Sequence, residues 1–259
     1  MLKLGGSVIT KKREPMTANL KAIKRLAREI ATASVEQLII VHGGGSFGHP
    51  LAKQYKIIEG YRDPAQIEGF SKTHQAMLEL NKLVVNTLIS HNIPAFSVSP
   101  SSCVVTKAGR IQTLYDGALT RLLATGFVPV LFGDAVLDSD KGFAVLSGDQ
   151  LIAALAIMFK AEKIIMGVDV NGLYPADPTT NAQLDLLPHI TLKDLKILLN
   201  NIEEAKVTDV TGGMLGKISE LIPAISAGIK TFIVNASKED TVYKALEGKK
   251  VVGTIIEKE

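Results

Sequence analysis

Short apolar runs alternate along the chain with longer segments in which apolar residues recur at helical spacing. The runs contain β-branched residues and are bounded by Gly, Pro or Asn, as buried strands are. They are Leu2–Leu4, Leu38–Val41, Ala95–Val98, Val128–Phe132, Ala144–Leu146, Lys163–Val168 and Thr231–Val234. This alternation predicts an α/β protein with a mainly parallel central sheet covered by helices on both faces.

The segments between the strands carry the helix signals. Predicted helices cover Leu20–Ile30, a long segment that begins after Asp63 and Pro64, Leu151–Phe159 and Gly216–Ala227. Asp63 is the expected N-cap of the long helix. The segment Leu151–Phe159 is apolar nearly all round, which is typical of a buried helix.

Residues 104–137 break this alternation. Turn sequences at Ala108–Arg110 and Asp138–Gly142 predict local antiparallel strands there. No linker separates two independent domains, so we expect one domain over residues 1–259, with one continuous sheet and two lobes of about 1–150 and 151–259.

Composition narrows the functional classes. The 259 residues are 46% hydrophobic and 21% charged, which is ordinary for a globular protein. A net charge of +3, spread along the chain, argues against a nucleic-acid or membrane-surface protein. The single cysteine, Cys103, excludes an intrachain disulfide, and no apolar run is long enough to span a membrane. We therefore expect a cytoplasmic protein.

Four glycine-containing loops follow or precede the predicted strands and helices. They are Lys3–Ser7, His42–His49, Ser147–Gln150 and Thr211–Lys217. Glycine lets a backbone approach an anion closely, and amides at a helix N-terminus bind phosphate. Because ligands of open α/β sheets bind where the strands end, the four loops with their lysines favour a phosphate-rich ligand.

One of these loops also permits a different class of function. Gly43, Gly45 and Gly48 match the G-x-G-x-x-G fingerprint of dinucleotide-binding proteins, between a strand and a helix. The acid expected about 20 residues later is represented only by Glu59 and Asp63, where no clear strand ends. A dinucleotide-dependent oxidoreductase therefore remains an alternative, as does a catalytically silent nucleotide-binding regulator.

Taken together, the loops resemble the amino acid kinase superfamily, which includes acetylglutamate kinase, uridylate kinase, aspartokinase and carbamate kinase. The resemblance covers essentially the whole chain and includes Asp169–Pro178. Within the superfamily, His42–Pro50 with its second histidine, His49, is similar to the isopentenyl phosphate kinases, as are Pro100–Ser102 and Asp209–Gly213. Fosfomycin kinases share a similar loop.

The resemblance implies the three-layer αβα sandwich of the amino acid kinase fold, with an N-terminal acceptor-binding lobe and a C-terminal nucleotide-binding lobe. It implies ATP-dependent phosphorylation of isopentenyl phosphate to isopentenyl diphosphate, a step of isoprenoid biosynthesis by the mevalonate pathway. The alternative is a kinase of the same fold that acts on another small phosphate or phosphonate. ATP and Mg²⁺ are the implied cofactors, and a homodimer is expected.

The resemblance also implies roles for individual residues. The implied catalytic residues are Lys3, Lys12, His49, Asp149 and Lys217. The implied acceptor-binding residues are Gly44, His49, Gly148, Phe70 and Met77. The implied nucleotide-binding residues are Lys3, Leu4, Gly5, Gly6, Ser7, Gly45, Asp169, Tyr174, Gly213 and Lys217. No side chain is predicted to ligate a metal, so Mg²⁺ is expected to arrive with ATP.

Some assignments stay open. Lys11, beside Lys12, is an alternative phosphate contact, and His42 is expected to be a buried structural histidine. Two departures from the family pattern, Gln150 in place of a second Asp and Asn171 in place of a common Asp, leave the Mg²⁺ position open.

The sequence also predicts which side chains contact the hydrocarbon tail of the acceptor. Phe70 and Met77 are seven residues apart and share one helix face. The resemblance adds Leu137 and Leu146 as the opposite side.

Overall fold

The structure, a computed structural model, describes residues 1–33, 35–175, 185–204 and 212–259. The strands are β1 (Leu2–Leu4), β2 (Ile40–His42), β3 (Ala95–Ser97), β4 (Val104–Lys107), β5 (Arg110–Leu114), β6 (Val128–Phe132), β7 (Asp134–Asp138), β8 (Gly142–Leu146), β9 (Lys163–Val168), β10 (His189–Thr191), β11 (Lys230–Asn235) and β12 (Gly253–Glu257). The helices are α1 (Gly6–Ile9), α2 (Leu20–Ala33), α3 (Gly45–Gln54), α4 (Ala65–Ile89), α5 (Gly117–Ala124), α6 (Gly148–Met158), α7 (Leu192–Glu204), α8 (Gly212–Ser226) and α9 (Thr241–Leu246).

The larger sheet orders its strands β10-β12-β11-β9-β1-β2-β6-β3. Every neighbouring pair in it is parallel except β11 and β12. The four strands β9, β1, β2 and β6 therefore end at one edge of the sheet. Loops that follow them meet there, which is where parallel α/β sheets bind ligands.

Side chains that alternate along these strands enter two separate cores. On one face, Leu4 and Ile40 pack with residues of α2, α4 and α9. On the other face, Val41 and Met166 pack with residues of α6, α7 and α8. The predicted α/β class, with a mainly parallel sheet covered by helices on both faces, is confirmed.

The expectation of one continuous sheet is wrong. Strands β5, β4, β7 and β8 form a second, four-stranded sheet, and the segment Ala144–Leu146 belongs to it. The predicted antiparallel hairpins β4–β5 and β7–β8 are present. The buried carboxylate of Asp138 joins them, because it accepts hydrogen bonds from the Thr106 hydroxyl (2.8 Å) and from the Gly109 (2.7 Å) and Lys141 (2.8 Å) amides.

The predicted helices are present as α2, α4, α6 and α8. The N-cap of α4 is Pro64 and not the expected Asp63, although the Asp63 Oδ1 accepts the Ala65 N–H at 2.7 Å. Helix α8 begins before the predicted Gly216, and helices α1, α5, α7 and α9 have no counterpart among the predicted elements. Within the described ranges, no helix combines the length and the apolar character that crossing a membrane would require.

Candidate active site

A cavity of about 450 Å³ opens at the edge where β1, β2, β6 and β9 end. It is lined by Lys3, Gly6, Ser7, Thr10, Lys12, Gly43, Gly44, Gly45, Ser46, Gly48, His49, Pro50, Ala52, Thr73, Met77, Gly133, Asp134, Val145, Leu146, Ser147, Gly148, Asp149, Asp169 and Lys217. Residues of all four predicted glycine loops therefore meet in one cavity.

The first two glycine loops pack backbone against backbone and form the floor of the cavity. A Cβ on Gly43 would lie 2.8 Å from the Gly6 nitrogen, and a Cβ on Gly6 would meet the Gly45 amide. Gly45 also has a φ of +48°, which favours glycine. Thr10 links the loops, because its hydroxyl donates to the Gly6 carbonyl (2.7 Å) and accepts the Ser46 N–H (3.1 Å). Side chains at these glycines would push the loops apart.

A buried ion pair lies beside this floor. Lys3, in β1, extends its Nζ to within 2.7 Å of Asp149 Oδ1, and the two side chains are 3% and 13% exposed. Asp149 lies in the first turn of α6, whose N-cap Ser147 accepts the Gln150 N–H at 3.0 Å. The ion pair fixes the Lys3 ammonium at the cavity wall.

Further positive charge comes from two more lysines. Burial and the neighbouring ammonium of Lys3 lower the pKa of Lys217, while Asp149 and Asp169 raise it. A bound anion stabilises neighbouring cations, so the cavity favours an anionic ligand. Lys12 lines the same cavity, whereas Lys11 pairs with Glu14 at 3.0 Å.

The two histidines of the second loop have different environments. His49, in α3, projects into the cavity, where burial and then the charges of Lys217 and Lys3 lower its pKa. His42 is fully buried, with Nδ1 3.1 Å from the Gly43 carbonyl and Nε2 3.1 Å from Asn81 Nδ2. Burial lowers the pKa of His42 to about 4, so it is a neutral structural histidine, as expected.

We name Lys3, Lys12, His49 and Lys217 the charged side of the cavity. A second part of the lining is the helix–hairpin wall, formed by α4 and the β7–β8 hairpin and consisting of Thr73, Met77, Asp134, Val145 and Leu146. Met77 is 1% exposed, and its Sδ lies 2.9 Å from the position of a Cβ on Gly44 and 2.8 Å from one on Gly48. The second loop therefore needs glycine here too, because the Met77 side chain fills the space.

Two residues of the expected tail wall lie elsewhere. Phe70 stacks on Phe143 with ring centroids 5.0 Å apart and does not line the cavity. The assignment of Leu137 to the wall is wrong: this side chain is 57% exposed, because it alternates along β7 with the buried Val136 and Asp138. Leu146, at the end of β8, does line the cavity.

Several nucleotide assignments fall outside the cavity lining. Leu4 belongs to the core and Gly5 binds the Gly167 carbonyl through its N–H at 2.8 Å. Tyr174 is half-buried and does not line the cavity. Gly213 lies in the first turn of α8, whereas residues 176–184 and 205–211, including Asp209 and Thr211, lie outside the described residues.

The two departures from the family pattern have structural partners. Gln150 accepts the Ile111 N–H at 2.9 Å and donates to the Gly109 carbonyl at 3.2 Å. Asn171 accepts a hydrogen bond from the Asn235 amide at 3.0 Å. Gln150 therefore holds the β4–β5 hairpin against α6 and does not project into the cavity.

Asp134 is a cavity residue that the sequence did not reveal. It begins β7 directly after Gly133, and its buried carboxylate contacts His74 Nδ1 at 2.9 Å. Its position right after the strand Val128–Phe132 was the available signal, because residues at strand ends form such sites. No group of three or more His, Cys, Asp or Glu side chains within the described ranges is arranged to hold a metal ion.

Comparisons with known proteins agree with this geometry. A model of the amino acid kinase family matches residues 1–235. An isopentenyl phosphate kinase of Methanothermobacter thermautotrophicus is 41% identical in an alignment of 264 positions that covers 99% of this chain and 98% of that protein. A crystallographically solved isopentenyl phosphate kinase superposes with a TM-score of 0.86 at 37% identity, over 98% of both chains. A solved substrate complex of isopentenyl phosphate kinase gives a TM-score of 0.80 at 27% identity, again over 98% of both chains.

Proposed function

The chain belongs to the amino acid kinase family, and we propose that it transfers the γ-phosphoryl group of ATP to the phosphate of isopentenyl phosphate, yielding isopentenyl diphosphate and ADP. The observation that carries the proposal is the two-sided cavity. Lysines, a histidine and glycine-loop amides line one part, and the largely apolar side chains of Met77, Val145 and Leu146 line another. An acceptor with a phosphate head and a short hydrocarbon tail needs both.

The reaction requires positioning and charge neutralisation of the two reactants more than it requires a general base. The second pKa of a phosphate monoester is about 6, so the attacking oxygen is anionic near neutral pH. The remaining barrier comes from bringing two anions together in line. Fixed cations and amide donors lower this barrier. We assign this role to Lys3, Lys12 and Lys217, with Asp149 orienting Lys3 through their 2.7 Å ion pair.

His49 is the proposed partner of the acceptor phosphate. Burial and the neighbouring lysines lower the pKa of His49, which favours the neutral ring in the free cavity, and this ring can donate one hydrogen bond to a phosphate oxygen. A bound dianion favours the charged ring, so binding the acceptor raises this pKa and adds charge compensation. Gly44 and Gly148 are proposed to lie against the acceptor, and Ser7, Gly45 and Asp169 against the nucleotide.

Mg²⁺ is proposed to enter bound to the ATP phosphates, where it neutralises charge. Two of the three cavity carboxylates are engaged by side chains, Asp149 by Lys3 and Asp134 by His74, and the third, Asp169, is proposed to lie against the nucleotide. The two-lobe division near residue 150, a homodimer and a cytoplasmic location stay predictions that the family resemblance supports.

An ATP-consumption screen tests the proposed function. ADP release is measured with Mg-ATP and isopentenyl phosphate, other small monophosphates, phosphonates such as fosfomycin, and amino acids. The Lys217→Ala variant serves as the background control. We expect the highest kcat/KM with isopentenyl phosphate. Another small phosphate or a phosphonate that exceeds it would overturn the assignment in favour of the alternative acceptor class, which the isopentenyl phosphate kinase relatives do not favour.

A further inference from the structure

The starting point is the buried carboxylate of Asp134 in the cavity wall. Its side chain has no exposed area, although it lines the cavity. Oδ1 accepts the Ala135 N–H at 2.8 Å, and Oδ2 accepts the Ser101 N–H at 3.3 Å. His74 Nδ1 lies 2.9 Å from Oδ1 and 3.1 Å from Oδ2. The carboxylate is thus held by its own strand, by the Pro100–Ser102 turn and by α4.

His74 connects this carboxylate to the helix that lines the cavity. It lies between Thr73 and Met77, which are the two cavity residues of α4. The hydrogen bond to Asp134 raises the pKa of His74 despite partial burial. A histidine that carries its proton makes a charge-assisted bond, which is stronger than a neutral one.

The charge balance explains why the pair suits an anion-binding cavity. A lone carboxylate in the wall would repel a phosphate-bearing acceptor and would be costly to bury. With a protonated His74 against Asp134 the pair is neutral, so the positive potential of Lys3 and Lys217 is retained. The Cys103 thiol is a further titratable group near Asp134. Burial, and then the charge of the Asp134 carboxylate, raises the pKa of this thiol.

We propose that the His74–Asp134 pair is a positioning device that holds α4 against β7 and thereby sets the width of the cavity at Thr73 and Met77, where the acceptor binds. His74 and Asp134 are 60 residues apart, and their bond crosses between the two elements of the helix–hairpin wall. Met77 lies one turn after His74, so a shift of the helix at His74 moves Met77 relative to Gly44. The proposal rests on the proposed function for the identity of the acceptor.

A double-mutant cycle, measured by steady-state kinetics, tests whether the His74–Asp134 pair positions α4. His74→Ala and Asp134→Asn are each expected to raise the KM for isopentenyl phosphate about five- to tenfold, the scale of weakening one charged hydrogen bond. The KM for ATP should stay within about twofold, and kcat should change less than the acceptor KM. The double variant should be no worse than either single variant, because both remove the same interaction.

Two further variants separate positioning from general destabilisation. His74→Gln retains a side-chain donor and should recover part of the acceptor KM. His91→Ala, just beyond the C-terminal end of the same helix, should leave both KM values unchanged, with melting temperatures recorded for every variant. Equal increases in both KM values, additive effects in the cycle, or an unchanged acceptor KM in a folded His74→Ala protein would each overturn the proposal.

An NMR titration of His74 tests the bond without any substrate. The pKa of His74 should exceed its ordinary value of about 6.5 and should fall in Asp134→Asn. An ordinary pKa in both proteins would overturn the proposal even if isopentenyl phosphate is a substrate. A wild-type protein that does not use isopentenyl phosphate would overturn the proposed function instead, and the cycle would then be measured with the acceptor that the screen identifies.

Discussion

The two sides of the cavity differ in how their side chains are held. On the charged side, the lysines and His49 lie in or beside short glycine loops, and Lys3 is also held by its ion pair with Asp149. On the helix–hairpin wall, the positions depend on contacts between distant segments, such as the bond between His74 and Asp134. Substitutions on the charged side should therefore affect catalysis of every acceptor, whereas substitutions on the wall should affect which acceptor is used.

The largest effect is expected for Lys217. Lys217→Ala should lower kcat about 10³-fold, because it removes a cation that stabilises the transferring phosphoryl group. Coupled measurement of ADP release checks this, with Lys193→Ala on the exposed face of α7 as the matched control. The melting temperature should stay near that of the wild type. An active variant would contradict the role, and an unfolded one would indicate a packing role.

His49 should give the next largest effect. His49→Ala should reduce turnover about 10²-fold, because the acceptor phosphate loses a fixed donor. The reduction should be the same for long and short acceptors, since the phosphate is common to all. Turnover at the wild-type rate would refute the assignment, and His91→Ala provides the histidine control.

The adjacent lysines of the segment after α1 offer a sharper test of the charged side. Lys12→Ala should lower kcat/KM for ATP about tenfold, the scale of one charge-assisted hydrogen bond. Lys11→Ala should change it less than about twofold, because Lys11 is paired with Glu14 on the surface. The reverse order in the kinetics would exchange the two assignments.

The smallest expected effect on overall rate, and the clearest on selectivity, belongs to Met77. Met77→Ala should raise the ratio of kcat/KM for a ten-carbon over a five-carbon prenyl phosphate about tenfold, because it opens the wall. Phe70→Ala should change the ratio less, since Phe70 stacks on Phe143 outside the cavity lining. If the ratio is unchanged in both variants while both proteins stay folded, the tail binds elsewhere.

The sequence predicted the charged side better than the wall, for a physical reason. Glycine–lysine loops next to strands are local signals, and the structure brings Lys3, Lys12, His49 and Lys217 to one cavity as the resemblance implied. Which residues form the helix–hairpin wall depends on the face of the sheet that each strand side chain occupies. Leu137 was misassigned because one position along β7 exchanges the buried and exposed faces.

Local pattern also did not reveal that the two predicted hairpins form a separate sheet, or that His74 pairs with Asp134. Strand β8 has the apolar composition of a central strand, yet it pairs with β7 through a hairpin turn and leaves the main sheet. The partners His74 and Asp134 carry no motif, and only the packing of α4 on β7 brings them together.

The central claim is that the charged side binds the phosphate and the helix–hairpin wall binds the tail. The most direct test compares kcat/KM for isopentenyl phosphate and methyl phosphate in the wild type, His49→Ala and Met77→Ala. In the wild type the tail should favour isopentenyl phosphate about 200-fold, since four further carbons contribute roughly 0.8 kcal/mol each. His49→Ala should lower both values and leave their ratio unchanged, and Met77→Ala should lower the ratio. A ratio that changes in His49→Ala and not in Met77→Ala would contradict the claim.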